Sequence, residues 1–215
     1  MPLYAQSRKS FVNYTGSLVI LWYSILFFIF WLYTGFTTSN FVNWLLENTL
    51  TLPFVILLYF LHRWHRFSTW SVTFIFVFLM LHVYGSQHTY SENPFGFWLK
   101  DVLHLQRNHF DRVVHFGFGF LLAYPMYEIC RVKFKIPAWL TYLLPLILTL
   151  SLGALYEIVE WIVADLFFPT QGPAFLGMQG DIWDAQKDMA LAVMGAFLIL
   201  LFAFLLRRGK VPTQK

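Results

Sequence analysis

Apolar residues run along this chain in blocks of about twenty, and polar residues collect in the gaps between them. A bilayer hydrocarbon core about 30 Å thick is crossed by roughly 20 residues of helix. Six blocks approach that length: Gly16 to Phe36, Phe41 to Leu61, Trp70 to Gly85, Arg112 to Cys130, Ala138 to Ala164 and Met189 to Leu206. They predict an all-α, polytopic membrane bundle of six transmembrane helices, forming one domain over residues 1–215. Pro145 is expected to kink the long fifth helix. No small-residue cleavage site follows the first block, which is therefore expected to be retained. Between the third and fourth blocks, "FWLKDVLHLQRN" places Trp98, Val102 and Leu105 on one stripe of a short helix lying in the interface.

Composition agrees with the pattern. The 215 residues are 58% hydrophobic, 21% aromatic and 12% charged, with mean hydropathy +0.58, whereas soluble domains carry about 25% charged residues. Too few polar groups exist to coat a globule, so the surroundings must be membrane lipid. The net charge of +4 does not indicate nucleic acid, because the basic residues sit between apolar blocks, where Lys and Arg report orientation. Arg8, Lys9, Arg63, Arg66, Arg131, Lys133, Lys135, Arg207, Arg208, Lys210 and Lys215 fall on one side of a six-span chain. Lys100, Arg107, Arg112 and Lys187 fall on the other. This bias places both termini in the cytoplasm and, in a bacterium, turns the opposite face to the periplasm. The single cysteine, Cys130, forms no intramolecular disulfide and supplies no metal motif. Oligomeric state is left open.

Given that topology, most acids gather on the outer side. Asp111 and His115 open the fourth helix four residues apart, about 40° around its axis, and face one object. Glu157 and Glu160 in "ALYEIVEW" are neighbours on one face of the fifth. Asp181, Asp184 and Asp188 in "GDIWDAQKDM" share about 60° of arc if the sixth helix begins near Gly180. Glu47 and His82 lie at the same level and complete a ring. Asp181 reads as an N-terminal cap, but Asp188, about two turns further in, needs another neutralising partner. An acid at membrane depth costs on the order of 3 kcal/mol unless it meets a partner or water. Arg112, Lys187 and the histidines face seven acids, so a bound cation or shared protons must restore balance.

Imidazole and carboxylates at these spacings on facing helices are how bundles hold zinc, manganese or iron. The candidate ligands are Asp111, His115, Glu157, Glu160, Asp181, Asp184 and Asp188, and the candidate catalytic groups are Asp111, His115, Glu157, Glu160 and Asp184. Neither His-Glu-x-x-His nor Glu-x-x-His occurs. On this reading the protein performs metal-assisted hydrolysis or transfer on a lipid or envelope precursor. Two alternatives use the same residues: proton- or cation-coupled transport, and a proton-sharing network that pins helices brought close by Gly117, Gly119, Gly153 and Gly195. A concave cavity favours chemistry, a passage favours transport, and a closed, fully paired network favours structure.

Remaining features have simpler expectations. His62 and His65 face headgroups, His88, His104 and His109 are solvated or capping, and Glu128 pairs with Arg131. Most Trp and Tyr form interfacial belts. The Gly- and Pro-rich stretch "FFPTQGPAFLGMQG", Phe167 to Gly180, is placed to cover the site.

"FDRVVHFGFGFLLAYPMYE", "GALYEIVEW" and "FLGMQGDIWDAQKDMALAVMGA" together resemble the YjdF-like inner-membrane proteins, a group described as a domain of unknown function. The resemblance spans most of the chain and implies a bacterial inner-membrane protein, without an established activity, substrate or cofactor. A fainter likeness is to VanZ-like membrane proteins, linked to glycopeptide resistance. They share an Asp-x-x-x-His opening a helix and a later Asp-rich helix start.

Overall fold

The computed structural model describes residues 16–134, 136–168 and 176–208. Its helices are α1 (Ser17–Thr37), α2 (Phe41–Asn48), α3 (Thr51–His65), α4 (Thr69–Gln87), α5 (Pro94–Val102), α6 (Phe110–Lys133), α7 (Leu140–Phe167) and α8 (Asp184–Arg208). Among the described residues, six segments are long and apolar enough to cross a membrane: α1, α2 with α3, α4, α6, α7 and α8. Helix α6 is the hub, with 56% of its most apolar stretch buried against 6% for α1, and it packs against α4, α7 and α8.

The second span departs from the expected single helix, Phe41 to Leu61, by breaking at Thr49 and Leu50. Pro53 explains the break. Proline lacks an N–H and clashes with the carbonyl four residues back, so the helix restarts at Thr51 with Pro53 in its first turn. Buried Asn48 fastens the junction: it accepts from Trp31 Nε1 at 2.8 Å and donates to the Trp44 carbonyl and Ser86 Oγ at 2.8 and 2.9 Å. Trp44 is likewise buried and is no belt residue, because its indole N–H reaches Thr34 Oγ1 at 3.1 Å. Trp22, Trp64, Trp70, Trp98, Trp139, Trp161 and Trp183 are all exposed, where lipid or interface would lie.

Helices α4, α6 and α8 run past both ends of their apolar blocks. Helix α6 covers residues 110–133 instead of 112–130, and α8 begins at Asp184 instead of Met189. Apolar blocks mark where lipid begins, but helical hydrogen bonding continues into polar ends. Helix α7 runs unbroken through Pro145. The short helix expected between the third and fourth spans exists as α5, with Asn93 accepting from Phe95 N–H at 3.0 Å as its cap. Trp98 and Val102 are exposed on it, while Leu105 lies beyond its end. Half of the stretch expected to cover the site, residues 169–175, and the basic residues Arg8, Lys9, Lys135, Lys210 and Lys215, lie outside the described residues.

Candidate functional site

The site is built where α6 crosses α8. A side chain added at Gly119 would run into the backbone of Ala192, and one at Gly195 into the backbone of Phe116. Contact that close requires glycine. One turn outward from Gly119 stands His115, and one turn outward from Ala192 stands Asp188, so the crossing carries these two side chains toward each other. Asp111 lies one further turn along α6. Donor atoms of Asp111, His115 and Asp188 lie within 4.8 Å of one another. Helix α7 adds Glu157, which continues its buried face of Thr141, Pro145, Thr149 and Gly153 at four-residue intervals. His115 Nε2 is 3.5 Å from both Asp111 Oδ1 and Glu157 Oε1, longer than the usual hydrogen bond of about 2.7–3.2 Å.

Asp181 and Asp184 have a different role from Asp188. Arg107 grips Asp184 through two nitrogens, at 2.6 and 3.1 Å, and donates to the carbonyls of Met178 and Gly177. Arg112 reaches Asp181 at 2.5 Å and Asp184 at 3.2 Å, and Lys187 lies 2.6 Å from Asp181. Gln179 pairs with the backbone of Asn108 in both directions, at 3.0 and 2.9 Å. These contacts clamp the segment before α6 to the segment before α8. Lys187, with Arg112, holds Asp181 well below the usual carboxylate range. Burial and the two arginines push His109 down, so its neutral Nδ1 can accept from Arg112 at 3.2 Å.

The ring of acids therefore divides. Asp111, His115, Glu157 and Asp188 come together, and among the described residues no Lys or Arg forms an ion pair with any of them. Asp184 adjoins them but is engaged by arginines, and Asp181 precedes α8 and accepts from Trp183 N–H at 3.1 Å, closing the turn before the helix and not capping a helical N–H as expected. The shared arc expected for the three aspartates needed a helix from Gly180; it starts at Asp184 because Asp181 forms the preceding turn. Glu160 and Glu47 neighbour Tyr156, whose hydroxyl donates to Glu47 at 3.3 Å. His82 is held on both nitrogens, by Thr51 at 2.9 Å and Tyr90 at 2.5 Å. Burial pushes the Tyr90 phenol well up, so it remains a neutral donor.

A cavity of about 310 Å³ opens beside this cluster among α3, α4, α6 and α7, within the size range of ligand pockets, about 300–1,000 Å³. Asp111, His115, His82, Tyr90, Thr51 and Tyr156 are its polar lining, and the remainder is apolar.

At the opposite end of the bundle, two expectations fail together. His65 is buried and lies 3.0 Å from Glu128, which also accepts from Ser68 N–H at 2.8 Å and from the hydroxyls of Ser68 and Ser71 at 2.5 Å each. Arg66 turns the chain in a left-handed conformation and tucks Phe67 and Ser68 beneath α6. Glu128 thereby meets the N-terminus of α4, where free N–H groups favour a carboxylate over the exposed Arg131. Arg107 was the functional residue missed from sequence; its place in a polar loop gave no hint that it is buried on Asp184.

The family model described as "Predicted membrane protein (DUF2238)" matches residues 19–209. The chain belongs to this family. Inner membrane protein YjdF of Escherichia coli (strain K12) is 33% identical over 172 residues, covering 80% of this chain and 82% of that protein. No solved structure matches. This DUF2238 member is thus a multi-pass protein of an inner-membrane family, and its polar site lies at one end of the six spans.

Proposed function

We propose that this protein performs metal-assisted hydrolysis or group transfer on a lipid or envelope precursor at the periplasmic face of the membrane. One observation carries the reading: nearly fully buried Asp188 has an oxygen without a hydrogen-bond partner, in a group converging with Asp111 and His115. A buried, uncompensated carboxylate costs several kcal/mol, so a cation or a proton must neutralise it. Two carboxylates and an imidazole suit zinc, manganese or iron. Bonds of about 2.0–2.2 Å set donors about 3–4 Å apart, so side-chain adjustments suffice to close these three around an ion.

Asp111, His115 and Asp188 would hold the ion, which supplies a Lewis acid and lowers the pKa of bound water. Glu157, with Oε1 unpartnered by hydrogen bonds and 3.5 Å from His115, is placed to take a proton from the reacting group. A purely helix-pinning network would leave neither Glu157 nor Asp188 with a spare acceptor. A concave cavity beside the cluster favours chemistry over passage.

The bias of Lys and Arg supports a periplasmic site and cytoplasmic termini. Three of the four basic residues on the site's side, Arg107, Arg112 and Lys187, are engaged by the aspartate clamp. That structural use accounts for cations on the translocated face.

Metal analysis of protein purified in detergent without chelator tests the reading. The wild type should carry about one equivalent of transition metal, and chelator should remove it and lower Tm, because a bound ion stabilises the folded state by mass action. Asp188→Asn should lose both the metal and the chelator response. Fully folded wild type that is metal-free and indifferent to chelator overturns the proposal.

A further inference from the structure

We infer that the cavity beside the cluster receives a single aliphatic chain, which enters sideways from the surrounding leaflet and leaves its headgroup at Asp111 and His115. The inference deepens the reading above by naming the amphiphile, and it rests on that reading for the chemistry at the head.

The cavity is polar at one end and greasy along its length. On α6 it runs from Asp111 through Val114 and Phe118 to Leu122, eleven residues or about 16 Å of helix. That depth is close to half of a hydrocarbon core of about 30 Å. A chain lying in it would keep the depth it had among its neighbours in the leaflet, with its head at the same level. Leu50, Leu152 and Leu155 line the cavity yet are 44%, 43% and 56% exposed on the surface that faces lipid. Helix α3 is not closely packed against α7, so the gap between them is the entry. No polar headgroup has to cross the membrane interior by that route.

Gly153 fits the same purpose. It is buried, and a side chain built on it would meet no atom within 4 Å, because it faces the cavity. Glycine has a packing reason at Gly119 and Gly195 and none here; what its absent side chain leaves is room. The larger groove of about 640 Å³ among α1, α3 and α4 has no carboxylate in its lining, so it offers no ligands for a cation that would meet a phosphate headgroup.

The test uses a lysophosphatidylglycerol with a photoreactive diazirine at the end of its acyl chain, added below saturation to the full-length protein in detergent. Labelling should appear at Leu122, which is 3% exposed and lines the inner end of the cavity. Gly153→Leu should reduce that labelling about tenfold or more, since its side chain excludes a comparable length of tail and each methylene is worth about fourfold in affinity. Labelling is read alongside metal analysis of the same wild-type preparation. Label at Leu122 in a metal-free protein therefore keeps this inference and sinks the metal, and bound metal without label does the reverse. Labelling confined to exposed positions such as Leu155, or equal in Gly153→Leu, overturns the tail site. Should Gly153→Leu not fold, displacement from wild type by unlabelled alkyl phosphates decides. Competition that strengthens from octyl to dodecyl supports the site, and competition independent of chain length overturns it.

Discussion

Gly119 of α6 and Ala192 of α8 meet backbone to backbone one helical turn below His115 and Asp188. This contact sets how far apart those two side chains stand. Separation of the helices by the width of a methyl group would draw His115 away from Asp188 and leave the carboxylate without its neighbour.

The crossing predicts that Gly119→Ala is destabilising, by about 1–3 kcal/mol as expected for overpacking. Gly153→Ala, placed in open space, should be nearly neutral. Thermal melting of both variants in one detergent checks the contrast, and equal losses would deny Gly119 its special role.

The clamp predicts strong coupling between Arg107 and Asp184. Arg107→Ala leaves a buried carboxylate short of its bidentate partner, a loss of about 3–5 kcal/mol, whereas Arg107→Ala with Asp184→Ala should recover a substantial part. Arg107→Lys should not restore the wild type, because a lysine cannot span both carboxylate oxygens and two carbonyls together. A double-mutant cycle on melting measures the coupling.

Acid should loosen the clamp in one direction. The folded pKa of Asp181 is depressed by Lys187 and Arg112, so its contribution is fully present above the unfolded value of about 3.9. It is lost as pH falls through the depressed folded value. Hydrogen exchange of the Met178 to Trp183 backbone should therefore be protected equally at pH 5 and pH 8, after correction for intrinsic exchange rates, and should lose protection only in stronger acid. Loss of protection between those two values would contradict the pairing.

Glu128→Gln should cost stability at the other end of the bundle, by about 1–3 kcal/mol. The carboxylate accepts from three donors of Ser68 and Ser71, and an amide nitrogen would face one of them with a donor. Arg131→Ala should be silent in the same melting assay.

Topology can be read with reporter fusions after Lys133 and near Asn93. The first should report cytoplasm and the second periplasm; the opposite result would reverse the face on which the site acts.

The membrane spans were legible because lipid imposes the same demand on every lipid-facing position, which block length and hydropathy record directly. The pairing of Asp111 with His115 was legible too, since four-residue spacing within one helix is a local property. A further local signal went unused: Asp-x-x-x-His-x-x-x-Gly on α6 and Asp-x-x-x-Asp-x-x-x-Ala on α8 carry small residues one turn below their polar ones. Together these point to a close crossing with the polar groups above it.

The sequence by itself determined an all-helical membrane bundle with most of its acids gathered at one end. Tertiary structure alone decided which acids stay unpaired. Asp181, Asp184 and Asp188 look alike in the chain, yet Arg107 from a loop and Arg112 from the first turn of α6, some seventy residues away, reach the first two, while the α6 and α8 crossing buries the third beside His115. The same distinction separates Glu128 from Arg131 and opens a cavity at Gly153. Each depends on which helices lie side by side, and the energy of a buried charge depends on those neighbours far more than on its own position in the chain.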